Sequence, residues 1–425
     1  MHDPSHDALY RRVSWRLMPL LFLCFVAAYL DRVNVGFARL QMLADLRFSD
    51  TVYGVGAGMF FIGYFLFEVP SNLLMTRAGA RLWIARIMIS WGLISSAMMF
   101  TTSVTSFYVL RFLLGAAEAG FFPGIILYLT YWYPAQRRAR MVAVFMSGVA
   151  VAGVVGGPLS GWILQAFDGA HGWSGWQWLF LLEGIPSVLL GLWTLFYLDD
   201  GIRDASWLSD ADKRVLEDAI ARDRVGQQHL PLVQVFASGT VWLLALVYFL
   251  FVMGLYGVSF WLPQLIRNSG VTDVLHIGLL TAIPYGVAAV VMVAAARHSD
   301  RSGERRWHAA GAGLAGALGL VVATACSNDT AIALAALSVA TAGILSTFPI
   351  FWSLPTAMLG GAAAAAGIAM INSLGNLAGF VSPYLVGAIK DATGNTASGI
   401  YLLAASLVAG AVLVVTGVPR AAAAR

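Results

Sequence analysis

Residues 107–131 read FYVLRFLLGAAEAGFFPGIILYLTY, and the rest of the chain is organised around this stretch. It is apolar and long enough to cross a bilayer, whose hydrocarbon core takes about 20 residues of helix. It nevertheless carries Arg111 and Glu118. Ionisable groups at that depth are costly, so they are functional candidates by default. Their spacing is close to two helical turns, which puts both on one face about 10 Å apart along the axis. A second apolar stretch, starting near Leu17, offers the counterparts Tyr29, Asp31 and Arg32.

Composition fixes the class. Of the 425 residues, 59% are hydrophobic and 11% charged, against about 25% charged in soluble domains. Such a chain cannot cover a core with water-compatible surface, and it reads as a polytopic membrane protein. The net charge of +4 does not point to nucleic acid, because the basic residues fall in short loops between apolar runs rather than along one patch. Cys24 and Cys326 both lie in apolar runs and read as buried thiols, not a disulfide or a metal site.

Spans are expected at 17–38, 52–74, 82–102, 107–131, 141–167 and 176–198, then at 241–267, 274–296, 308–327, 330–352, 362–389 and 396–418, twelve in all. The fold class is therefore all-α, with a six-helix bundle at 1–198, a central loop at 199–240 and a second six-helix bundle at 241–425. The first apolar run follows a basic tail as a signal peptide does, but Asp31-Arg32 interrupts it and no small-residue cleavage site follows, so it reads as a helix. In the central loop, Ser209-Asp-Ala-Asp212 predicts a helix start, with Leu208, Val215, Leu216 and Ile220 turned to the membrane surface or the helix ends. Nineteen of the 26 lysines and arginines fall on the side of the termini and central loop, four on the other, and three inside spans. That bias predicts both termini in the cytoplasm.

The halves repeat. Arg77-x-Gly79-x-Arg81-x-Trp83-x-Ala85 after the second span recurs as Arg301-x-Gly303-x-Arg305-x-Trp307-x-Ala309 after the eighth, 224 residues on. A weaker echo joins Ala152-Gly153, Pro158 and Gly161 to Ala378-Gly379, Pro383 and Gly387. Duplicated halves are a transporter architecture with the site between them near the midplane.

The layout resembles the major facilitator superfamily over essentially the whole chain. Within it, Tyr29-Leu-Asp31-Arg32-Val-Asn34, Glu68-Val-Pro70-Ser-Asn72, Arg111-Phe-Leu-Leu-Gly115-Ala-Ala-Glu118-Ala-Gly120, Leu182-Glu183-Gly184-Ile-Pro186 and the Gly367 to Asn376 segment are similar to the anion:cation symporter family, in its bacterial tartrate- and phthalate-type members. The resemblance implies proton-coupled uptake of a small organic carboxylate across the bacterial inner membrane, with the proton as coupling ion and no other cofactor. It implies a monomer among lipids, with no nucleic-acid partner.

The residue chemistry agrees with that expectation. Arginine suits a carboxylate through its planar fork, and Arg32 and Arg111 supply two. A coupling proton needs an acid whose state responds to the site, and Asp31 and Glu118 are placed for it, since burial favours a neutral acid and a nearby arginine a charged one. Counting along the helices puts Asp31 between Arg111 and Glu118 in depth. Asp31-Arg32 also reads as a neutralising pair, and Arg111 with Glu118 as packing. Tyr29, Tyr64, Tyr256, Trp352, Asn372 and Asn376 are candidate lining residues, though aromatic residues in spans also serve as anchors. Glu68 and Glu183 are expected near the cytoplasmic side, salt-bridged to loop arginines or Arg86 as gates or scaffold. Arg77, Arg81, Asp300, Arg301 and Arg305 are expected latches. The second half shows no acid or base deep in its spans.

Two departures bear on the substrate. Sugar-acid members of the resembled family carry an amide in the fifth span near Ser147-Gly148-Val149, and Thr76 stands where the superfamily's loop usually has an acid, which Asp300 restores in the second half. A compact hydroxy-dicarboxylate or an aromatic carboxylate is therefore expected over a long sugar acid. Gly153, Gly157-Pro158 and Gly161 faintly resemble a drug-antiporter signature, which makes a proton-coupled drug-type antiporter the alternative. An enzyme is not expected, because no metal-ligand cluster, nucleophile elbow or phosphate loop is present.

Overall fold

In a bilayer each backbone N–H and C=O must find its partner within its own segment, and this apolar chain accordingly folds into helices. The computed structural model describes residues 4–224, 237–358 and 362–419. The first half comprises α1 (Pro4–Val33), α2 (Val35–Leu46), α3 (Asp50–Ala78), α4 (Ala80–Ala97), α5 (Val104–Glu118), α6 (Phe121–Thr130), α7 (Ala135–Met146), α8 (Gly148–Ala166) and α9 (Gly175–Tyr197). After α10 (Asp210–Arg224), the second half has α11 (Gly239–Asn268), α12 (Val274–Ser302), α13 (Arg306–Ala325), α14 (Thr330–Met358), α15 (Ala362–Asn376), α16 (Ala378–Thr393) and α17 (Ala397–Gly417).

Among the described residues, eleven helical stretches are long and apolar enough to cross a membrane. The remaining expected span, 362–389, is made in two pieces, α15 and α16, of 15 and 16 residues, which meet in a turn at Leu377. Gly375, Asn376 and Gly379 around that turn are weak helix formers. The first, fourth and fifth spans are likewise broken, at Asn34, at Ala119-Gly120 and at Ser147. Large apolar side chains such as Phe196, Val290 and Leu318 remain exposed, as a lipid-facing surface requires.

Two expectations are corrected. The tail to Arg16 is not separate from the first span, because α1 starts at Pro4. Leu9, Tyr10 and Val13 are buried there, Tyr10 stacks on Tyr133 at 6.1 Å, and Ser14 bonds the Tyr133 hydroxyl at 3.0 Å. Cys326, at the end of α13, is half-buried, while Cys24 is buried as expected. The central helix forms where Ser209 marked it: the Ser209 hydroxyl accepts from the Asp212 backbone N–H at 3.2 Å, and Leu208, Leu216 and Ile220 are buried. Arg420 and Arg425 of the charge count, and residues 225–236 of the central loop, lie outside the described residues.

The halves meet along α2 with α11, α3 with α16 and α8 with α12. They are tied at the end away from the arginine-rich loops. Arg39 donates to both Asp50 and Gln264, and Lys390 reaches Asp50 at 2.9 Å. Asp391 accepts from the backbone N–H groups of Asp50 and Thr51 at 3.2 and 2.7 Å. Gln165 donates to Asp273 at 2.7 Å and Arg267 to the Leu40 carbonyl at 2.8 Å. At Gly157 and Gly278, α8 and α12 approach so closely that an added Cβ would come within 2.6 Å of the facing backbone oxygen. At the arginine-rich end, among the described residues, no hydrogen bond or ion pair joins the halves beyond Glu68, ten residues short of the end of α3. A cleft of about 1500 Å³ opens there along Trp15, Met18 and Phe22 of α1 and Arg137, Arg140 and Met141 of α7.

Candidate functional site

Arg111 is positioned by a close approach of α5 to α3. A Cβ at Gly115 would lie 1.8 Å from the Phe60 carbonyl oxygen, so only glycine lets the helices come this near. Fully buried, Arg111 donates Nε to the Gly56 carbonyl at 3.3 Å and Nη2 to the Ala57 carbonyl at 3.1 Å. Its Nη1 has no partner among the described residues. One face of the same helix ends in Glu118, after which Gly120 turns the chain at φ 85°, and a side chain there would strike Ser71. That break places Glu118 at the last position of α5, fully buried, where it receives Nη2 of Arg32 as an ion pair.

Arg32 carries the site across the boundary between the halves. Its Nη1 donates to the Tyr256 hydroxyl of α11 at 3.2 Å. Its guanidinium lies 5.2 Å from the Phe60 ring centroid and 5.6 Å from that of Tyr64, while Arg111 lies 5.3 Å from Phe60. Two cations thus share one aromatic ring, an arrangement in which the ring's negative face offsets part of their desolvation. Tyr256 packs edge-on against Phe61 at 4.3 Å. Tyr29 bonds Ser259 of α11 at 3.1 Å, a further link between the halves beside Arg32 and Tyr256.

The expected residues do not all converge. Asp31 turns away from the arginines into the first bundle, where its carboxylate accepts from Trp91 at 2.9 Å, Ser95 at 2.7 Å and Ser187 at 2.6 Å. Glu68 meets amide and hydroxyl rather than an arginine: Asn372 donates at 3.4 Å and Ser373 at 3.0 Å, both from α15. Glu183 lies in the first half of α9, away from the arginine-rich end, and accepts from Ser160 at 2.7 Å. Arg86, its expected partner, instead stacks over Trp83 at 4.0 Å. Trp352 packs on Tyr248 with centroids 4.8 Å apart, and Asn376 is the half-buried last residue of α15.

The repeated loops are fastened within their own halves. Arg81 approaches Asp200 with its Nε at 3.9 Å and its backbone N–H at 2.8 Å. Arg305 lies 3.9 Å from Asp300 and donates to the Ser353 carbonyl at 3.2 Å. Arg77 and Arg301 are exposed. Sequence reasoning passed over Phe60, the serines and tryptophan around Asp31, and the cluster of Arg39, Asp50, Lys390 and Asp391. Aromatic residues are frequent in spans and polar ones at span ends, so neither set stood out.

A bundle of membrane-crossing helices in two halves, with charges buried at their shared boundary, is the architecture of a membrane transporter rather than an enzyme. The chain belongs to the Major Facilitator Superfamily, whose sequence profile matches residues 21–383. An Agrobacterium vitis protein named "Putative tartrate transporter" is 48% identical, the match covering 97% of this chain and 95% of that one. A "Quinolone resistance transporter" of Acinetobacter baumannii is 42% identical, over 95% of this chain and 93% of that one. In fold this chain is similar to the crystal structure of a D-xylose-proton symporter, with a TM-score of 0.76, 18% identity, and 95% of this chain and 98% of that one covered.

Proposed function

We propose that the chain is a proton-coupled symporter importing a small organic carboxylate, tartrate-like or phthalate-like, by alternating access across a bacterial inner membrane. The observation that carries this reading is the buried pair of arginines around Phe60, one held by Glu118 and the other with a donor unfilled. A substrate carboxylate entering between them takes the free Nη1 of Arg111 and competes with Glu118 for Arg32. Arginine meets a carboxylate in a charge-assisted fork, which suits it to this exchange. Once displaced, Glu118 is a buried acid without its counter-charge, and taking up a proton relieves that cost. One anion and one proton are thereby bound together. Asp31, one residue from Arg32, serves as a second acid of the coupling; Tyr29, Tyr64, Tyr256, Trp352, Asn372 and Asn376 shape the cavity.

The arginine bias assigns the basic end, both termini and the central loop to the cytoplasm. The cleft beside α1 and α7 then opens inward, and the Arg39, Asp50, Lys390 and Asp391 cluster closes the periplasmic side. Glu68 is the innermost tie between halves and acts as a gate, with Arg81 and Arg305 holding the loops that move with each half. We assign the transporting unit as a monomer.

The relative named for tartrate supports the anion reading; the one named for quinolone resistance supports the alternative, a proton-coupled drug antiporter. Thermal stabilisation of purified protein by a carboxylate panel, followed by proteoliposome uptake under an inward proton gradient, separates them. Stabilisation by tartrate or phthalate with gradient-driven uptake is expected. Response to quinolones and to no carboxylate would reverse the assignment.

A further inference from the structure

Glu183 is a buried acid that the scheme above leaves without a task. It is 4% exposed, one carboxylate oxygen accepts from Ser160 of α8, and the other has no partner among the described residues. Asn34, at the break between α1 and α2 and 1% exposed, faces it as a weak hydrogen-bond partner, beyond the distance of an ordinary hydrogen bond. Both Asn34 and Ser160, though not Glu183 itself, line a small pocket of about 20 Å³. That is room for one water, and the site offers the two or more polar partners a buried water needs.

The cavity lies between the halves. Ser259 of α11 and Thr281 and Tyr285 of α12 form its other wall, and Gly157 of α8, which closely approaches Gly278, lines it beside Ser160. When the halves part on that side, the pocket widens toward the outer water. On its other flank, Glu183 shares a face of α9 with Ser187, one helical turn and about 6 Å away. Ser187 donates to Asp31 at 2.6 Å.

The titratable group that faces Glu183 is Asp31 of α1, which also accepts from Trp91 and Ser95 of α4. The α1–α2 turn presents Asn34 and α8 presents Ser160. The nearest charged residues of α2 are engaged elsewhere, Arg39 with Asp50 and Asp45 with Ser174 and Trp176. Among the described residues no lysine, arginine or histidine pairs with Glu183.

We propose that Glu183 is a further proton-binding site, loaded from the outer side through the Asn34–Ser160 cavity and emptied through Ser187 to Asp31. In the balanced step, a hydronium in the opened cavity gives a proton to the Ser160 hydroxyl while Ser160 passes its own to the Glu183 carboxylate that it already bonds, leaving water, an intact hydroxyl and a neutral acid. That acid passes a proton across one helical turn to the Ser187 hydroxyl while Ser187 passes its own to the Asp31 carboxylate, so a proton moves from Glu183 to Asp31 and the negative charge from Asp31 to Glu183. The proposal rests on the symport reading for its purpose, but not for its detection.

The test uses the full chain in lipid nanodiscs and proteoliposomes. Infrared difference spectra between acidic and alkaline buffer, without substrate, are expected to show a carboxylic-acid carbonyl band that Glu183→Gln removes and Ser160→Ala shifts. Spectra unchanged by both substitutions would overturn the proposal. Should Glu183→Gln fail to fold, the Ser160→Ala shift alone decides, since it leaves the acid in place. With tartrate and phthalate as probes, Glu183→Gln is expected to lower gradient-driven accumulation about a hundredfold while counterflow persists, and Glu183→Asp to restore a pH-dependent rate. An unaltered pH profile in Glu183→Gln would count against the relay. If the parent carries neither probe, the symport reading fails while the infrared arm still decides whether Glu183 binds a proton.

Discussion

The Nη1 of Arg32 lies 3.2 Å from the Tyr256 hydroxyl across the boundary between the halves, while Nη2 of the same guanidinium holds Glu118 within the first half. A single side chain therefore senses both the occupancy of the site and the relative position of the halves. Tyr256→Phe removes the hydroxyl and leaves a buried charged donor unfilled. Hydrogen bonds to charged groups contribute about 1.5–3 kcal/mol, so carboxylate affinity is expected to fall roughly tenfold to a hundredfold. Calorimetric titration of the purified variant with the best ligand of the panel measures it, and parent-like affinity would remove Tyr256 from the site.

Glu118 is the acid directly bonded to a site arginine. Glu118→Gln keeps its shape and one hydrogen-bond acceptor but cannot exchange a proton. Uphill uptake is expected to vanish while substrate exchange without net proton flow continues. Gradient-driven uptake at the parent's rate would reject Glu118 as the coupling acid.

The spans and the two-half layout were legible because bilayer thickness writes itself into apolar run lengths and because the Arg77 and Arg301 loops repeat. Contacts within the site were less legible. Helical spacing placed Arg111 and Glu118 on one face, but which acid meets which arginine depends on how α1 is rotated, and that rotation turns Asp31 toward α4 and α9 and Arg32 toward Glu118. The Glu183 environment was misjudged for a simpler reason. Its helix begins at the end opposite the basic loops, so a residue in the first half of α9 does not meet them. Breaks at Gly120 and Leu377 were hidden because a turn inside an apolar run leaves hydropathy unchanged.

A third expectation concerns the closed end. Asp391 lies beyond the expected end of its span at 389. Partial burial raises its proton affinity, but hydrogen bonds from the Thr51 and Asp50 backbone outweigh this and hold it below the usual carboxylate range. An acid depressed in this way contributes to the closed arrangement above its ordinary value, about 3.9, and the contribution is lost as pH falls through the depressed value. Acidification to mildly acidic conditions should leave this tie intact, whereas Asp391→Asn, which keeps one acceptor oxygen of the two and loses the charge, weakens it at every pH. Spin-label distances between the ends of α3 and α16 are expected to shift toward separation in the variant. Equal distance distributions in parent and variant would show that Asp391 does not hold the halves together.

The last expectation returns to Arg111. Its Nε and Nη2 span the neighbouring carbonyls of Gly56 and Ala57, which orients the planar group and leaves Nη1 for a ligand. Lysine keeps the charge but concentrates its donors on one nitrogen, so it cannot reach both carbonyls in that geometry and also present a directed donor to a carboxylate. A buried charge that loses its partner costs about 3–5 kcal/mol, several hundredfold or more in affinity. Arg111→Lys should therefore abolish carboxylate binding and uptake at unchanged net charge, while Phe60→Leu, which spares both guanidinium groups, is expected to weaken binding less. Ligand-induced thermal stabilisation of each variant, read beside its unliganded melting temperature, separates a lost ligand contact from a loosened fold. Parent-like stabilisation of Arg111→Lys by tartrate or phthalate would show that the carboxylate does not bind at Arg111.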